Sequence, residues 1–376
     1  MPIRLKDIAK DLGVSVVTVS KVVRGRGDIG EKTRNRVLKR MRELNYHPNM
    51  TARALASGRT FTVGLVVPDL VQPYFAELAQ HIGAVLRAAN RALVLASSED
   101  DPSVERNEIQ ALLARGIDVL LLASCQTNLK RLDELETRGT PCILLDRNFP
   151  RLAANFVGID DFRAGELATE HLINIGKKRI AHIGGKHIHT SLERMRGYLS
   201  ALAAHRINMP ETYLKERDTL EMHGDRAGYH CMKELLRLKP RPDAVFCYND
   251  VSAIGAMHAA FEAGLRIPED IAFVGCGNVG YSQYLRCPLT SIDQSIPDQG
   301  RVAGALALSF DGMAEQAARI VLLKPRLIVR ESTVRAQNGG APRFSPAANR
   351  TALAAQRVAS RKASRNGISA SSARTS

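Results

Sequence analysis

Val16 and Val17 stand side by side at the start of a short helical pattern, with Thr18, Ser20 and Lys21 close behind them. Valines so placed can touch thymine methyls, while hydroxyls and an ammonium group can reach phosphates and base edges. That is nucleic-acid reading. Candidates for other chemistry fail on spacing. Gly275-x-Gly277-x-x-Gly280 follows an apolar run and formally fits a dinucleotide turn, but Cys287-Pro288 arrives too soon for the long helix that must follow. His182, His187 and His189 have no carboxylate or cysteine at ligand spacing, so no metal is expected. Asp146, Asp160 and Asp161 lack a nucleophile or leaving-group site beside them. No G-x-S-x-G or P-loop pattern occurs. The six cysteines are scattered, with no C-x-x-C pair, and read as reduced thiols. A binding protein is expected, neither an enzyme nor a cofactor carrier.

The elements that would position the two valines are helices. Leu5, Ile8, Ala9 and Leu12 have the spacing of one buried helical face. Gly13 then allows a tight turn, and Ser15 can cap a second helix, Val16–Val23, with Val19 and Val22 facing inward. A third helix is expected over Glu31–Leu44, with Val37, Leu38, Met41 and Leu44 on its apolar side. Three helices with a glycine turn between the first two form a helix-turn-helix, which leaves Val16 and Val17 outside. After it, Asn49 can cap a helix of about nine residues ended by Gly58, shorter than the ~12–15 needed for stability alone. Such a segment orders only when a partner and DNA hold it.

These residues resemble the LacI/GalR repressors. The run Leu5-Lys6-Asp7-Ile8-Ala9-Lys10-Asp11-Leu12-Gly13-Val14-Ser15-Val16-Val17-Thr18-Val19-Ser20-Lys21-Val22-Val23 carries the likeness, as do Leu44-Asn45-Tyr46-His47-Pro48-Asn49 and Ala52-Arg53-Ala54-Leu55. The resemblance spans about residues 3–335. It implies a homodimer on a palindromic double-stranded operator, with a small effector in a cleft setting the affinity. It also implies a periplasmic-binding-protein-like core. By position, Val16, Val17 and Lys21 fall on base-reading residues, and Leu55 on a hinge leucine that wedges into the minor groove. Lys6, Ser15, Thr18, Ser20, Asn49 and Ala52 complete the expected DNA contacts.

From residue 61 onward, short apolar runs alternate with helical patterns. Expected strands are Val63–Val67, Leu93–Ala96, Val119–Leu122, Cys142–Leu145, Phe156–Ile159, Ile180–Ile183, Ala244–Cys247, Ile271–Val274 and Leu327–Val329. Alternation of this kind implies βαβ units, and there are too many strands for one sheet. The expected architecture is therefore a small all-α helix-turn-helix domain followed by a two-lobed α/β core with parallel sheets. Strand C-ends should face a common cleft. The segments that match the family's effector positions follow expected strands. They supply Tyr74, Phe75, Asp146, Arg147, His189, Arg194, Asn249, Asp250, Gly277, Asn278 and Gln294. Gly277 and Asn278 stand where the family usually has an acidic pair, so a frequent acceptor for ligand hydroxyls is missing. The chain has no Trp, which leaves stacking to Tyr or Phe. Arg147, Arg194, His187 and His189 would make the cleft cationic and favour a sugar-like anionic or phosphorylated effector.

Charge agrees with this division. Residues 1–60 carry 14 basic and 5 acidic side chains, a net +9; residues 61–335 carry 32 and 33; residues 336–376 carry 7 and none. A near-neutral body with basic ends points to a polyanion bound by the ends. The expected domains are a helix-turn-helix at 1–48, a hinge helix and linker at 49–60, the two-lobed core at 61–335 and a disordered basic tail at 336–376. With no secretory pattern after Met1 and no apolar run of ~18 residues, the reading is a cytoplasmic protein without a membrane partner. A transport receptor would share the two lobes but has no use for the head.

Overall fold

A computed structural model of the chain describes residues 3–23, 28–46, 54–55, 57–126, 139–149, 154–185, 188–216, 224–310 and 318–334. Asn49, Ala52, His187 and the 336–376 tail lie outside these residues.

The head holds α1 (Leu5–Leu12), α2 (Val16–Val23) and α3 (Glu31–Glu43). Ile8, Ala9, Val19, Val22 and Val37 close on one another as its core. Gly13 makes the turn at φ +63°, and the Ser15 hydroxyl accepts the Thr18 N–H at 3.0 Å, capping α2. Arg36 donates to the Leu12 carbonyl at 3.1 Å, and Arg40 pairs with Asp11, so α3 is tied to the end of α1. Leu38 departs from expectation and is 39% exposed. Val37, Met41 and Leu44 already form the inward seam at helical spacing, and Leu38 lies about 100° round the helix from Val37.

The remaining elements build two sheets. The first lobe contains β1 (Thr62–Val67), α4 (Pro73–Ala88), β2 (Ala92–Ser97), α5 (Pro102–Ala114), β3 (Val119–Leu122), β4 (Cys142–Leu145) and β5 (Asn155–Ile159). The second contains α6 (Asp161–Asn174), β6 (Ile180–Ile183), α7 (His189–Ala204), β7 (Leu214–Lys215), α8 (Gly224–Leu235), β8 (Ala244–Cys247), α9 (Asp250–Glu262), β9 (Ala272–Cys276) and β10 (Thr290–Asp293). The chain then returns through α10 (Ile296–Ser309) and β11 (Ile320–Leu323) to the first lobe, and ends with β12 (Arg326–Ile328) in the second. Strand order is β11-β5-β4-β3-β1-β2 in one sheet and β12-β10-β9-β8-β6-β7 in the other. All pairings are parallel except β10 with β12.

Each sheet is covered on both faces, which is why its strands read as continuous apolar runs. Leu65 and Val67 face α4 and α10, while Val66 faces Ile109, Leu112 and Leu113 of α5. In the second lobe α6 and α7 cover one face, α8 and α9 the other. The strands β7, β10 and β11 were not expected from the sequence. Thr290 and Ser291 look like a polar turn, yet both are fully buried and hydrogen-bonded. The chain passes between lobes near Asp160, Gln294 and Lys324, and the Asp160 N–H donates to the Leu323 carbonyl at 3.1 Å. Two of these passages therefore run side by side. Among the described residues no helix is long and apolar enough to cross a membrane.

Candidate functional site

On the head, the packing that buries Val19 and Val22 turns Val16 and Val17 outward, 46% and 63% exposed. Lys6 and Ser15 are exposed, and Thr18 and Ser20 are half-buried. The Lys21 ammonium lies 2.5 Å from Asp28, so a DNA contact by Lys21 would exchange one anion for another. Leu55, in a helical stretch, is an apolar side chain 89% exposed.

The strand C-ends of the two lobes meet at a cleft. Gln72, Tyr74, Phe75 and Asp146 line it from the first lobe; Arg194, Tyr248, Asn249 and Asp250 line it from the second. Val251, Cys276, Gly277 and Val279 add to the second wall, and Gln294 sits at a passage between lobes. Eight of the eleven effector candidates therefore come together here. The space they leave is about 40 Å³. Anything of sugar size must part the walls.

Arg194 anchors the arrangement. Its Nε donates to Asp161 Oδ1 at 2.8 Å, Nη1 to the Tyr248 carbonyl at 2.8 Å and Nη2 to Gln294 Oε1 at 3.4 Å. The guanidinium also lies 5.0 Å from the Tyr248 ring centre. From the other lobe, Gln299 Nε2 donates to the Gln294 carbonyl at 2.8 Å, and Tyr74 Oη donates to Gln299 Oε1 at 2.9 Å. Gln294 thus receives bonds from both sides. Asp250 accepts from Ser291 Oγ at 2.5 Å and from the Val279 N–H at 2.8 Å. Asn249 uses its side-chain oxygen to cap α9 through the Ser252 N–H. Burial pushes the Asp161 carboxyl up to about 7 against the pull of Arg194, and pushes Asp250 up to about 6. The Cys276 thiol is driven up to about 12 by burial and stays neutral.

Two of the expected effector residues are engaged elsewhere. Arg147 does not line the cleft: it is buried, with Nη1 donating to the Ser124 carbonyl at 3.2 Å and lying 3.4 Å from Asp100. Asn278 also turns away, its Oδ1 accepting from Arg330 at 2.6 Å. His189 begins α7, half-buried, where burial lowers its pKa, within electrostatic reach of the cleft residues Asp146 and Arg194. Arg147 lies against Asp100 and Arg194 against Asp161, so each of these two arginines has a carboxylate beside it, while His187 lies outside the described residues. Two carboxylates, Asp146 and Asp250, line the cleft.

The remaining motifs find structural work. Gly275 is a glycine because a Cβ there would stand 2.2 Å from Asp250 Oδ1, so this wall owes its closeness to the missing side chain. His182 is buried, its ring 5.3 Å from Tyr198 and 5.0 Å from Phe246, with Nδ1 3.0 Å from the Phe246 carbonyl oxygen. Among the described residues no group of His, Cys, Asp and Glu is arranged to hold a metal. Sequence reasoning missed Asp161 as the partner of Arg194, and missed Gln72 and Gln299. Only Asp161, as a first-turn acid after a strand, left a signal that could have been followed.

Comparison with known proteins agrees with this geometry. Residues 4–49 match the model of bacterial regulatory proteins of the lacI family, and residues 169–333 match a periplasmic binding protein-like domain. The chain is 31% identical to the HTH-type transcriptional repressor PurR of Mannheimia succiniciproducens over 332 residues, covering 87% of this chain and 98% of that protein. It is also 31% identical to the HTH-type transcriptional regulator DegA of Bacillus subtilis, covering 89% and 98%. A solved complex of the transcriptional regulator CelR with cellobiose superposes with TM-score 0.66 at 30% identity, covering 88% and 99%. A lac repressor dimer bound to operator and the anti-inducer ONPF gives 0.76 at 25% identity, covering 89% and 100%. Head and two-lobed core align together over nearly the whole of these proteins, and the chain therefore belongs to the LacI family of bacterial regulatory proteins, DNA-binding repressors of transcription.

Proposed function

We propose that this repressor binds a palindromic operator as a homodimer, reading bases with Val16 and Val17, wedging the minor groove with Leu55, and responding to a small polar effector in the cleft. The observation that carries the reading is the exposure of two adjacent valines at the N-terminus of α2 while Val19 and Val22 of the same helix are buried in the head's core. The domain limits follow the same reading: a helix-turn-helix at 1–48, a hinge at 49–60 and a core at 61–335.

A homodimer is supported by a largely apolar groove of about 440 Å³ on the second lobe, lined by Ile254, Met257, Phe261, Leu285 and Cys287 together with His258, Glu262 and Arg286. Tyr281 and Tyr284 nearby are 45% and 68% exposed. An apolar patch of this kind is a natural place for a second copy.

The effector is a sugar-like molecule, and the matched cations favour a neutral, hydroxyl-rich one over a phosphorylated one. Asp146 and Asp250 accept from hydroxyl donors, while Tyr74, Phe75 and Tyr248 supply ring faces. Because the cleft holds so little space, binding must shift Arg194 or the residues facing it, and Gln294 carries that shift to the passage between lobes. An effector that prefers one lobe arrangement changes the separation of the two hinge segments in the dimer, and so the operator affinity. A thermal-melting screen with neutral sugars, sugar acids and sugar phosphates tests this. Neutral sugars should raise the melting temperature of the parent and lose that effect in Asp146→Asn. Hits confined to phosphorylated compounds would overturn the charge argument.

A further inference from the structure

We propose that Asp118 is a positioning residue for operator recognition, a clasp that fixes where the DNA-reading segment leaves the core. The proposal rests on the reading that residues 1–60 bind DNA. Asp118 is the residue before β3, at the end of the first lobe away from the cleft. Its Oδ1 accepts the Thr60 N–H at 2.9 Å and the Thr60 hydroxyl at 3.2 Å, and its Oδ2 accepts the Phe61 N–H at 2.9 Å. The Thr60 hydroxyl also lies 2.7 Å from the Gly116 carbonyl oxygen. One carboxylate thus holds two successive backbone amides at the last point before the chain runs back toward Leu55.

The clasp is reinforced. Arg91 lies 3.1 Å from Asp118 Oδ2, and its guanidinium sits 4.6 Å from the Phe61 ring centre. The Arg91 and Asp118 side chains are only 9% and 15% exposed, so water screens them weakly. Phe61 is held at φ +59°, a left-handed conformation that a bulky residue adopts only where its surroundings impose it. Hydrogen bonds from Ala92 N–H to the Phe61 carbonyl, and from Asp118 N–H to the Thr62 carbonyl, fix the following residues in the sheet. Direction as well as position is therefore set at residues 60–61. Leu55 lies five residues upstream, and two copies of it can meet at one base step only if both start from a defined point.

The second lobe supplies the control. Asp243, the residue before β8, accepts the Arg179 N–H at 2.8 Å and the Lys178 N–H at 3.2 Å, with Arg179 3.4 Å away. It repeats the clasp at the start of β6, where no DNA-reading segment is attached. Here the arginine is 44% exposed, and neither held residue has positive φ. If the clasp merely supports a lobe, losing either aspartate should have the same consequences.

The experiment uses the full chain and a duplex that the parent selects from randomised DNA. Asp118→Ala and Asp243→Ala are compared in melting temperature, in affinity for the selected duplex, and in affinity for an unrelated duplex of equal length at the same salt. Both should melt lower. Only Asp118→Ala should lose the selected duplex, by at least about tenfold, with unrelated DNA bound as before. Where Asp118→Ala does not fold, Thr60→Val and Arg91→Met loosen the clasp with its carboxylate in place and should show the same selective loss on a smaller scale. Retention of the selected duplex within about twofold by Asp118→Ala or by both milder variants, or an equal loss in Asp243→Ala, overturns the proposal. A parent that selects no duplex overturns the DNA-reading account, and the clasp with it.

Discussion

Arg194 and Asp161 face each other at 2.8 Å between α7 and α6, each side chain 3% exposed. The arginine that would otherwise be the cleft's free cation is already answered by a carboxylate of its own lobe. It donates to the Tyr248 carbonyl and to Gln294. In the proposed reading this pair sets which charge on an effector the cleft favours.

Removing one partner of a buried ion pair strands the other charge, at a cost of about 3–5 kcal/mol. Asp161→Ala should therefore lower unfolding stability by about that much in chemical denaturation. The double variant Asp161→Asn with Arg194→Met should recover most of it. Equal stability of Asp161→Ala and parent would show that the pair is not dry.

Acid should destabilise the second lobe through His182. Burial between Tyr198 and Phe246 lowers its pKa from 6.5 to about 4, so the folded state refuses a proton that the unfolded chain accepts. Its contribution is complete above pH 6.5 and is lost as pH falls to 4, amounting to about 3 kcal/mol. In denaturation series from pH 7 to 4, His182→Phe should gain on the parent steadily as pH falls. Parallel curves would contradict the assignment.

How much of this was readable from sequence differs between head and cleft. The head's helices, its glycine turn and the outward valines follow from a helical period, a signal carried by neighbouring residues. The cleft depends on partners far apart in the chain. Asp161 looks like any acid in a helix's first turn; its neighbour Asp160 caps α6 by accepting the Arg163 N–H, while Asp161 turns inward to Arg194. In the loops carrying Asp146–Arg147 and Gly277–Asn278, where the backbone is left-handed at Asp146 (φ +60°) and Asn278 (φ +49°), only Asp146 and Gly277 lie on the cleft wall. Residue type alone does not reveal such a turn.

Leu55, exposed as it is, can be shortened without cost to the core. Leu55→Ala should keep the parent's melting temperature and its salt-driven affinity for unrelated DNA. Specific operator binding should weaken by a few kcal/mol, because the wedge that stabilises a bent site is gone. Gel-shift and bending assays in which the variant bends DNA like the parent would remove Leu55 from the mechanism.

The head carries +9, and the proposed dimer would double it, so specific affinity should fall steeply and log-linearly with salt. Residues 61–376 alone should show no specific binding. A titration of operator affinity against salt with both chains checks this, and tight specific binding by residues 61–376 would contradict it.

The most direct measurement is selection of bound sequences from a pool of randomised duplexes, with the parent chain and with Val16→Gln and Val17→Gln variants. Neither valine can hydrogen-bond to a base, so the parent should prefer thymine methyls at the positions they touch. The account predicts a two-fold symmetric motif for the parent, with base preference changed at one or two positions per half-site in each variant and kept elsewhere. A parent that enriches no motif, or variants that enrich the parent's motif unchanged, would contradict the claim that α2 reads the operator.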